Sequence, residues 1–239
     1  MNVLREVDFI LAEDTRTTAF LLRHLGIEKK MYAHHKFNEH ATVGMVCEAM
    51  AAGRTVALVS DAGTPGISDP GFLLVRACVE AGIEVETLPG ATALIPALVQ
   101  SGFPCDRFCF EGFLSANKKE RRARLEELRG EERTMVFHEA PHKLRPTLAD
   151  MLEVLGDRPV ALCRELTKLH EDIWKTTLGE AVEHYKTNEP RGEYVLVMAG
   201  APETADPEQE LTLEQAAHRA LELTGQGFGP VSYTHLRAH

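Results

Sequence analysis

Two glycine-rich loops carry the residue types best suited to holding a small ligand. The first loop, residues 61–71, follows the apolar run TVALVS and combines glycines and prolines with Asp61, Thr64, Ser68 and Asp69. The second loop, PGATA at residues 89–93, follows another apolar stretch. Glycine lets a backbone approach a ligand closely, and Asp and Thr supply oriented hydrogen bonds. Because ligands of open α/β sheets bind beyond the carboxyl ends of strands, the loops predict a site for a nucleotide-like cofactor, with a long structural turn as the alternative.

Two charged clusters also follow apolar runs. Glu13, Asp14 and Arg16 come directly after VDFILA, and Glu165 and Lys168 come after PVALC. A carboxylate beside a cation suits substrate positioning or general base catalysis. Capping of a helix by Asp14 explains part of the first cluster equally well, so both interpretations stay open.

The segment HEAPH, residues 138–142, matches the H-E-x-x-H pattern of zinc proteases. That chemistry needs both histidines one turn apart on one helix. The preceding TMVF favours a strand, and a proline inside a helix costs about 3 kcal/mol. We therefore expect His138 to end a strand, Pro141 to open the next helix, and no metal to bind here.

The stretch KKERRAR, residues 118–124, holds five cations against one glutamate, a local net charge of +4. A solvated helix face is the ordinary explanation of such a run. The alternative is that these cations contact the phosphates of a nucleic-acid backbone. The cations are Lys118, Lys119, Arg121, Arg122 and Arg124.

Apolar runs alternate with amphipathic stretches, which predicts an α/β protein of βαβ units with a mostly parallel sheet. We place a boundary near Arg107, between an N-terminal domain at 1–106 and a C-terminal domain at 107–200. An acidic linker and helix follow at 201–229, and the tail at 230–239 lacks periodicity and is set aside as non-native. The predicted strands are 7–12, 55–60, 83–88, 134–138, 159–163 and 194–199. The predicted helices are 15–24, 41–52, 72–81, 144–155 and 211–223.

Composition narrows the class of protein. The 239 residues are 44% hydrophobic and carry a net charge of -10, which excludes a disordered chain and argues against a charge-driven nucleic-acid coat. Whole-chain charge does not constrain a local basic patch. No apolar run is long enough for a membrane span and no signal peptide is recognised. Five scattered cysteines predict free thiols in a reducing cytoplasm.

Six blocks resemble, in order, the bacterial small subunit ribosomal RNA methyltransferase I family, within the tetrapyrrole methylase superfamily. The blocks are AEDTRTTAFLLRHLGI, VALVSDAGTPGISDPGFLLVRACVEAGIEVETLPGATAL, GFPCDRFCFEGFL, RTMVFHEAPHKL, RELTKLHE and RGEYVLVMAG. The resemblance implies two α/β domains with S-adenosylmethionine in the cleft between them, usually in a homodimer. It also implies methylation of the ribose 2′-oxygen of cytidine 1402 in 16S rRNA of the small subunit, with no DNA or membrane partner.

The resemblance assigns roles to residues of this chain. The catalytic and orienting candidates are Glu13, Asp14, Glu165 and Lys168, with Arg16 on a phosphate. The cofactor loops of the first domain are represented by Asp61, Ala62, Gly63, Thr64, Ile67, Pro89, Gly90, Thr92 and Ala93. The second domain is expected to close over the cofactor around Phe137 to Glu139 and Arg164 to Glu165, and the stretch 118–124 becomes an rRNA contact.

Two departures from the family pattern bear on activity. The family begins with a further strand and a P-T-P-I-G-N-like loop that touches the cofactor, so we expect a first domain lacking its first strand, with weakened cofactor binding. The tail at 230–239 does not resemble the helical segment of the family. The alternatives are methylation of a tetrapyrrole precursor, an inactive binding or assembly protein, and a zinc hydrolase.

Overall fold

The structure, a computed structural model, describes residues 1–202. The predicted linker beyond residue 202, the helix at 211–223 and the tail at 230–239 lie outside the described residues. No helix within residues 1–202 has the length and apolar character to cross a membrane.

The first unit is built on a three-stranded parallel sheet of order β2-β1-β3. Its central strand is buried along its whole length, because helices cover both faces. Asp14 caps α2 by accepting a hydrogen bond from the Arg16 N–H, and Gly26 follows that helix in the left-handed region at φ +62°. The elements are α1 (Asn2–Glu6), β1 (Phe9–Ala12), α2 (Thr15–His24), β2 (Met31–Ala33), α3 (Glu39–Ala51), β3 (Val56–Val59) and α4 (Phe72–Glu80).

The second unit is a five-stranded mixed sheet of order β4-β5-β8-β6-β7. Strands β4 and β5 are parallel, whereas the other three pairs are antiparallel. The prediction of a mostly parallel sheet is therefore wrong for this unit. The short connection between β6 and β7 reverses the chain direction, so that these two strands pair antiparallel. The elements are α5 (Leu94–Ser101), β4 (Phe108–Phe113), α6 (Lys118–Glu127), β5 (Thr134–Glu139), α7 (Pro141–Leu155), β6 (Pro159–Arg164), β7 (Asp172–Thr177), α8 (Leu178–Thr187) and β8 (Tyr194–Met198).

Side chains of the second sheet alternate between two cores. Met135 and Phe137 pack into the larger core with residues of α6, α7 and α8, whereas Val136 packs with Ala97 and Leu98 of α5. The predicted boundary near Arg107 falls between the two sheets. Helix α5 precedes that boundary and yet packs on β6 and β8.

The predicted strand at 83–88 is wrong. The alternation IEVETL is typical of a half-buried strand, but residues 84–88 are exposed and form no strand. Among the described residues β3 pairs on one side with β1, and no strand lies against its other edge. An extended segment without a hydrogen-bonded neighbour has no ladder to join.

Candidate active site between the two sheets

The carboxyl ends of β1 and β3 meet at the start of the first glycine-rich loop. Glu13 follows β1, and its Oε2 accepts a long hydrogen bond of 3.4 Å from the Asp61 N–H after β3. Ser60 Oγ lies 2.5 Å from Asp69 Oδ2 and 2.9 Å from the Ala62 carbonyl oxygen. The loop is therefore closed at its base, and its tip is left for a ligand.

The far end of the loop is held by Glu39, a buried carboxylate at the start of α3. Glu39 Oε1 accepts hydrogen bonds from the N–H groups of Gly71, at 2.8 Å, and Leu73, at 3.1 Å. Gly71 has φ +140°, and a Cβ there would lie 2.7 Å from Leu58 Cδ2. Glycine is required at this position by both the backbone conformation and the packing against β3.

The tip of the loop is open. Asp61, Ala62, Gly63 and Ile67 are exposed and Thr64 is half-buried. A Cβ built on Gly63 would meet no atom within 4 Å. Glu13 and Asp69 lie at the base of the loop on Ser60, and Asp61 is exposed beside them. Carboxylate acceptors suit a ligand that carries a positive charge and hydroxyl groups.

The second predicted loop runs into α5. Pro89, Gly90 and Ala93 are exposed, Thr92 is half-buried, and Ala93 is the residue before the first turn of α5. A Cβ on Gly90 would also meet open space. At both glycine positions the backbone is therefore accessible from open space.

The second unit faces this loop through His138 at the end of β5. His138 Nδ1 lies 3.4 Å from Ser68 Oγ, which joins the two units across the opening. Phe137 and Glu139 point the other way, because neighbouring side chains of a strand alternate between its faces. Phe137 is in the core, and Glu139 is buried against Thr147 and Lys143. The expectation that these two side chains touch a cofactor is corrected, since both are buried inside the second unit.

Sequence reasoning missed two residues of this site, Ser60 and Glu39. His138 lies within the stretch 137–139 that was expected to close over the cofactor, but only Phe137 and Glu139 were singled out as contacts. The strand pattern of residues 134–139 already separates His138 from Phe137 and Glu139, and that alternation is the signal that finds it. Strand β5 ends at Glu139, one residue beyond the predicted end at His138, and Pro141 opens α7 as predicted. Glu39 carried no sequence signal, because its partners are backbone groups 32 and 34 residues away.

Burial lowers the pKa of His138 below its ordinary 6.5, although Asp69 and Glu193 oppose that change. Burial likewise lowers the pKa of His34, which lies 3.8 Å from Glu39. Both imidazoles are therefore neutral at neutral pH, and both help to set the loop between β3 and α4.

We expect the folded state to lose stability as the pH falls below about 6.5. The unfolded chain takes up a proton near the ordinary histidine pKa, whereas the folded chain resists it, so acid favours unfolding. Urea denaturation at pH 7.5, 6.5 and 5.5 measures the slope of the free energy of unfolding against pH. His138→Gln should flatten it and the exposed control His24→Gln should not. A slope that His138→Gln leaves unchanged would contradict this account.

Glu165, Lys168 and Glu193 form an ion cluster at the end of β6. Lys168 Nζ lies 3.0 Å from Glu165 Oε1 and 2.9 Å from Glu193 Oε2. These carboxylates raise the pKa of Lys168, and the Glu193 N–H together with Lys168 lowers the pKa of Glu165. A raised pKa favours the protonated form of Lys168, which suits a positioning cation better than a general base.

Backbone geometry holds this cluster in place. Glu165 has φ +49°, and Gly192 has φ +75°. A Cβ on Gly192 would come within 2.5 Å of Glu165 Cγ. A side chain at residue 192 would therefore displace Glu165.

Asp14 and Arg16 bind each other beside Glu13. Arg16 Nη2 lies 2.6 Å from Asp14 Oδ2, and the Arg16 side chain is 90% exposed. Hydrogen bonds from Arg16 hold the pKa of Asp14 at about 2. Asp14 is thus a weak proton acceptor that caps α2 and orients Arg16, while the guanidinium faces solvent.

The basic stretch is largely neutralised by carboxylates. Arg121 is buried on Asp150 at 2.6 Å, Arg122 pairs with Glu153 at 2.5 Å, and Arg124 pairs with Glu111 at 2.7 Å. Within residues 1–202, no ion pair is formed by Lys118 or Lys119. The expectation of five RNA-facing cations is corrected for Arg121, because its side chain joins α6 to α7 inside the second unit.

Comparison with known proteins places this geometry in a family. Residues 1–182 match the family of Tetrapyrrole (Corrin/Porphyrin) Methylases. Ribosomal RNA small subunit methyltransferase I of Synechocystis sp. is 50% identical over 202 residues, which cover 84% of this chain and 72% of that protein. The protein of the same name from Escherichia coli O157:H7 is 45% identical over 240 residues, which cover 94% of this chain and 84% of that protein.

Solved structures of more distant proteins share the fold. The methyltransferase CobJ superposes with a TM-score of 0.59 at 21% identity, covering 84% of this chain and 86% of that chain. Uroporphyrin-III C-methyl transferase from Thermus thermophilus, complexed with S-adenosyl homocysteine, superposes with a TM-score of 0.53 at 18% identity, covering 82% of this chain and 87% of that chain. With two α/β units facing each other across the loop of residues 60–71, the chain belongs to the tetrapyrrole methylases and, among them, to the ribosomal RNA small subunit methyltransferase I family.

Proposed function

We propose that this protein transfers the methyl group of S-adenosylmethionine to the ribose 2′-oxygen of cytidine 1402 in 16S rRNA. The observation that carries the proposal is the 45–50% identity to two proteins named as small-subunit rRNA methyltransferases. The open loop of residues 60–71, with three carboxylates beside exposed glycine backbone, supports it.

The cofactor lies against the first unit. When bound, S-adenosylmethionine supplies an electrophilic methyl group on a positively charged sulfur. Asp61, Thr64 and the backbone of Ala62 and Gly63 hold its polar groups, with Ile67 against its apolar surface. The second loop covers it through Pro89, Gly90, Thr92 and Ala93. Phe137 and Glu139 support the opposite wall from within the second unit and place His138 at its surface.

Catalysis requires the ribose oxygen to be aligned with the methyl group and to lose its proton. When the methyl group is transferred to the ribose oxygen, the 2′-hydroxyl proton would pass to a carboxylate of this chain. We assign this proton to Glu13, whose oxygens make only long contacts of 3.4 Å with Ser60 and Asp61. Asp14 is a poorer acceptor because its pKa is about 2.

Cations position the RNA around this centre. Arg16 is exposed and presents a planar donor set to a backbone phosphate. Lys168 fixes Glu165 in an ion cluster at the end of β6, on the second wall of the cleft. Lys118 and Lys119 stand exposed at the start of α6, where they provide further phosphate contacts.

The setting of the reaction follows from its substrate. We place the protein in the cytoplasm with the small ribosomal subunit, acting as a homodimer. Large apolar side chains are exposed on α2 and α4, among them Phe20 and Val79, and they support an interface with a second copy of the chain on this surface. We assign the cofactor mainly to the N-terminal domain, 1–106, and the closing wall to the C-terminal domain, 107–200.

A methyl-transfer assay tests the proposal. The protein is incubated with methyl-labelled S-adenosylmethionine and 30S subunits from cells that lack this modification. We expect label in 16S rRNA and none in subunits that already carry the methyl group. Intact cofactor binding without any transfer would overturn the proposal and favour a binding protein.

We expect Asp61→Ala to weaken S-adenosylmethionine binding by about tenfold or more, because a hydrogen bond to a charged group is worth about 1.5–3 kcal/mol. Isothermal titration calorimetry measures the dissociation constant. Asp106→Ala removes another exposed aspartate, ahead of β4, and should leave it unchanged. Equal affinities of the Asp61→Ala variant and the parent would place the cofactor elsewhere.

A further inference from the structure

An exposed aromatic ring lies at the end of β4, next to the wall of the cleft. The Phe113 side chain is 54% exposed. Its ring centroid is 5.4 Å from that of His138, and Phe110 contacts the same imidazole at 5.0 Å, both edge to face. His138 in turn reaches Ser68 of the cofactor loop at 3.4 Å. The imidazole of His138 thus lies between Phe113 and the loop proposed to hold the cofactor.

A β-bulge places this ring on the cleft side of the sheet. Phe110 lies opposite Val136, but Phe113 lies opposite His138, so β4 contains one residue more than β5 over this span. Gly112 takes φ +63° at the irregularity. In a regular ladder Phe113 would point to the other face, where Phe137 is buried. Bulges re-aim side chains in this way beside functional sites.

One lysine lies over the ring, and two more follow it in the chain. Lys143 Nζ stands 5.4 Å from the Phe113 centroid and is ion-paired with Glu139 at 3.0 Å. Lys118 and Lys119 begin α6 five and six residues further along the chain, and both are exposed. An exposed aromatic ring flanked by cations is the combination with which proteins hold unpaired bases, since the ring stacks on the base and the cations neutralise phosphates.

We infer that Phe113 is a stacking shelf for an unpaired base of the substrate RNA, beside the nucleotide whose ribose is methylated. The inference rests on the proposed function and adds to it a specificity-determining residue. A purely apolar contact with a second copy of the chain explains the exposure less well, because such a contact gains nothing from the exposed Lys118 and Lys119 that follow the ring in the chain.

Steady-state kinetics with unmodified 30S subunits tests the shelf. Base stacking on an aromatic side chain is worth about 1–3 kcal/mol, so Phe113→Ala should raise KM for the subunit about 5- to 150-fold. The S-adenosylmethionine dissociation constant should not change. Phe113→Tyr keeps a flat ring and should stay within about twofold of the parent, whereas Phe113→Leu keeps apolar bulk without a ring and should behave as Phe113→Ala does. Phe37→Ala, ahead of α3, removes another exposed phenylalanine as a matched control.

The outcomes separate this inference from the function on which it rests. Transfer by the parent with an unchanged KM in Phe113→Ala would overturn the shelf alone. Full activity in Phe113→Leu would also overturn it, because apolar bulk would then suffice. A Phe113→Ala variant that changes oligomeric mass would assign the ring to a contact between copies. Absence of transfer by the parent would overturn the proposed function and the shelf together.

Discussion

Arg121→Ala is expected to lower the free energy of unfolding by about 3–5 kcal/mol, because it leaves a buried carboxylate without its partner. Arg121 Nε and Nη2 lie 2.8 and 2.6 Å from Asp150 Oδ2, and its Nη1 donates to the carbonyl oxygens of Ser115 and Ala116. Both side chains of the pair are about 95% buried. Arg122, 3.5 Å from the other oxygen of Asp150, compensates only in part.

Such a loss is a large share of the 5–15 kcal/mol that stabilises an ordinary domain. Urea denaturation followed by circular dichroism measures this loss of stability. The urea concentration at the midpoint should fall, while the dependence of the free energy of unfolding on urea concentration stays unchanged. Lys119→Ala removes a neighbouring exposed cation and should change stability by no more than about 0.5 kcal/mol. A stable Arg121→Ala variant with weakened RNA binding would instead restore Arg121 to the RNA surface.

Glu39→Ala is expected to weaken S-adenosylmethionine binding by roughly tenfold or more and to lower the free energy of unfolding by about 2–4 kcal/mol. Its carboxylate is the acceptor for two backbone N–H groups at the junction of the cofactor loop and α4. Hydrogen bonds to charged groups are worth about 1.5–3 kcal/mol each, and a buried donor left without an acceptor is costly. The loop would lose the anchor at its far end while its tip stays chemically intact.

Calorimetric titration and urea denaturation measure the two effects. Glu39→Gln retains one acceptor oxygen and should recover part of both. Glu80→Ala is the matched control, because Glu80 forms an exposed ion pair with Arg76 on α4 itself and away from the loop. Parent-like affinity in Glu39→Ala would show that the loop holds its conformation without this anchor.

Local signals in the sequence predicted the parts of the fold that depend on local chemistry. Asp14 and Gly26 mark both ends of α2, and its predicted bounds, 15–24, are those observed. Pro141 separates the HEAPH segment into a strand end and a helix start. The loop after β3 was located because its turn residues follow a β-branched run directly.

Predictions that depend on distant partners were wrong or missing. The segment 83–88 has the alternation of a strand, but no described neighbour pairs with it. Arg121 and Lys119 are alike as cations in the sequence, and only the packing of α6 on α7 separates a buried ion pair from an exposed side chain. Phe137 was chosen in place of His138 because a one-residue difference along a strand reverses the face.

The position of the methyl group in the RNA tests the central claim most directly. A 2′-O-methyl group removes the nucleophile that cleaves the adjacent phosphodiester in alkali, so a modified nucleotide survives as a gap in an alkaline cleavage ladder. The substrate is 16S rRNA from unmodified 30S subunits, treated with the protein and S-adenosylmethionine. We predict a single new gap at cytidine 1402, absent when the cofactor is omitted. A complete ladder at that nucleotide, with label at another position or on a base, would contradict the proposed function.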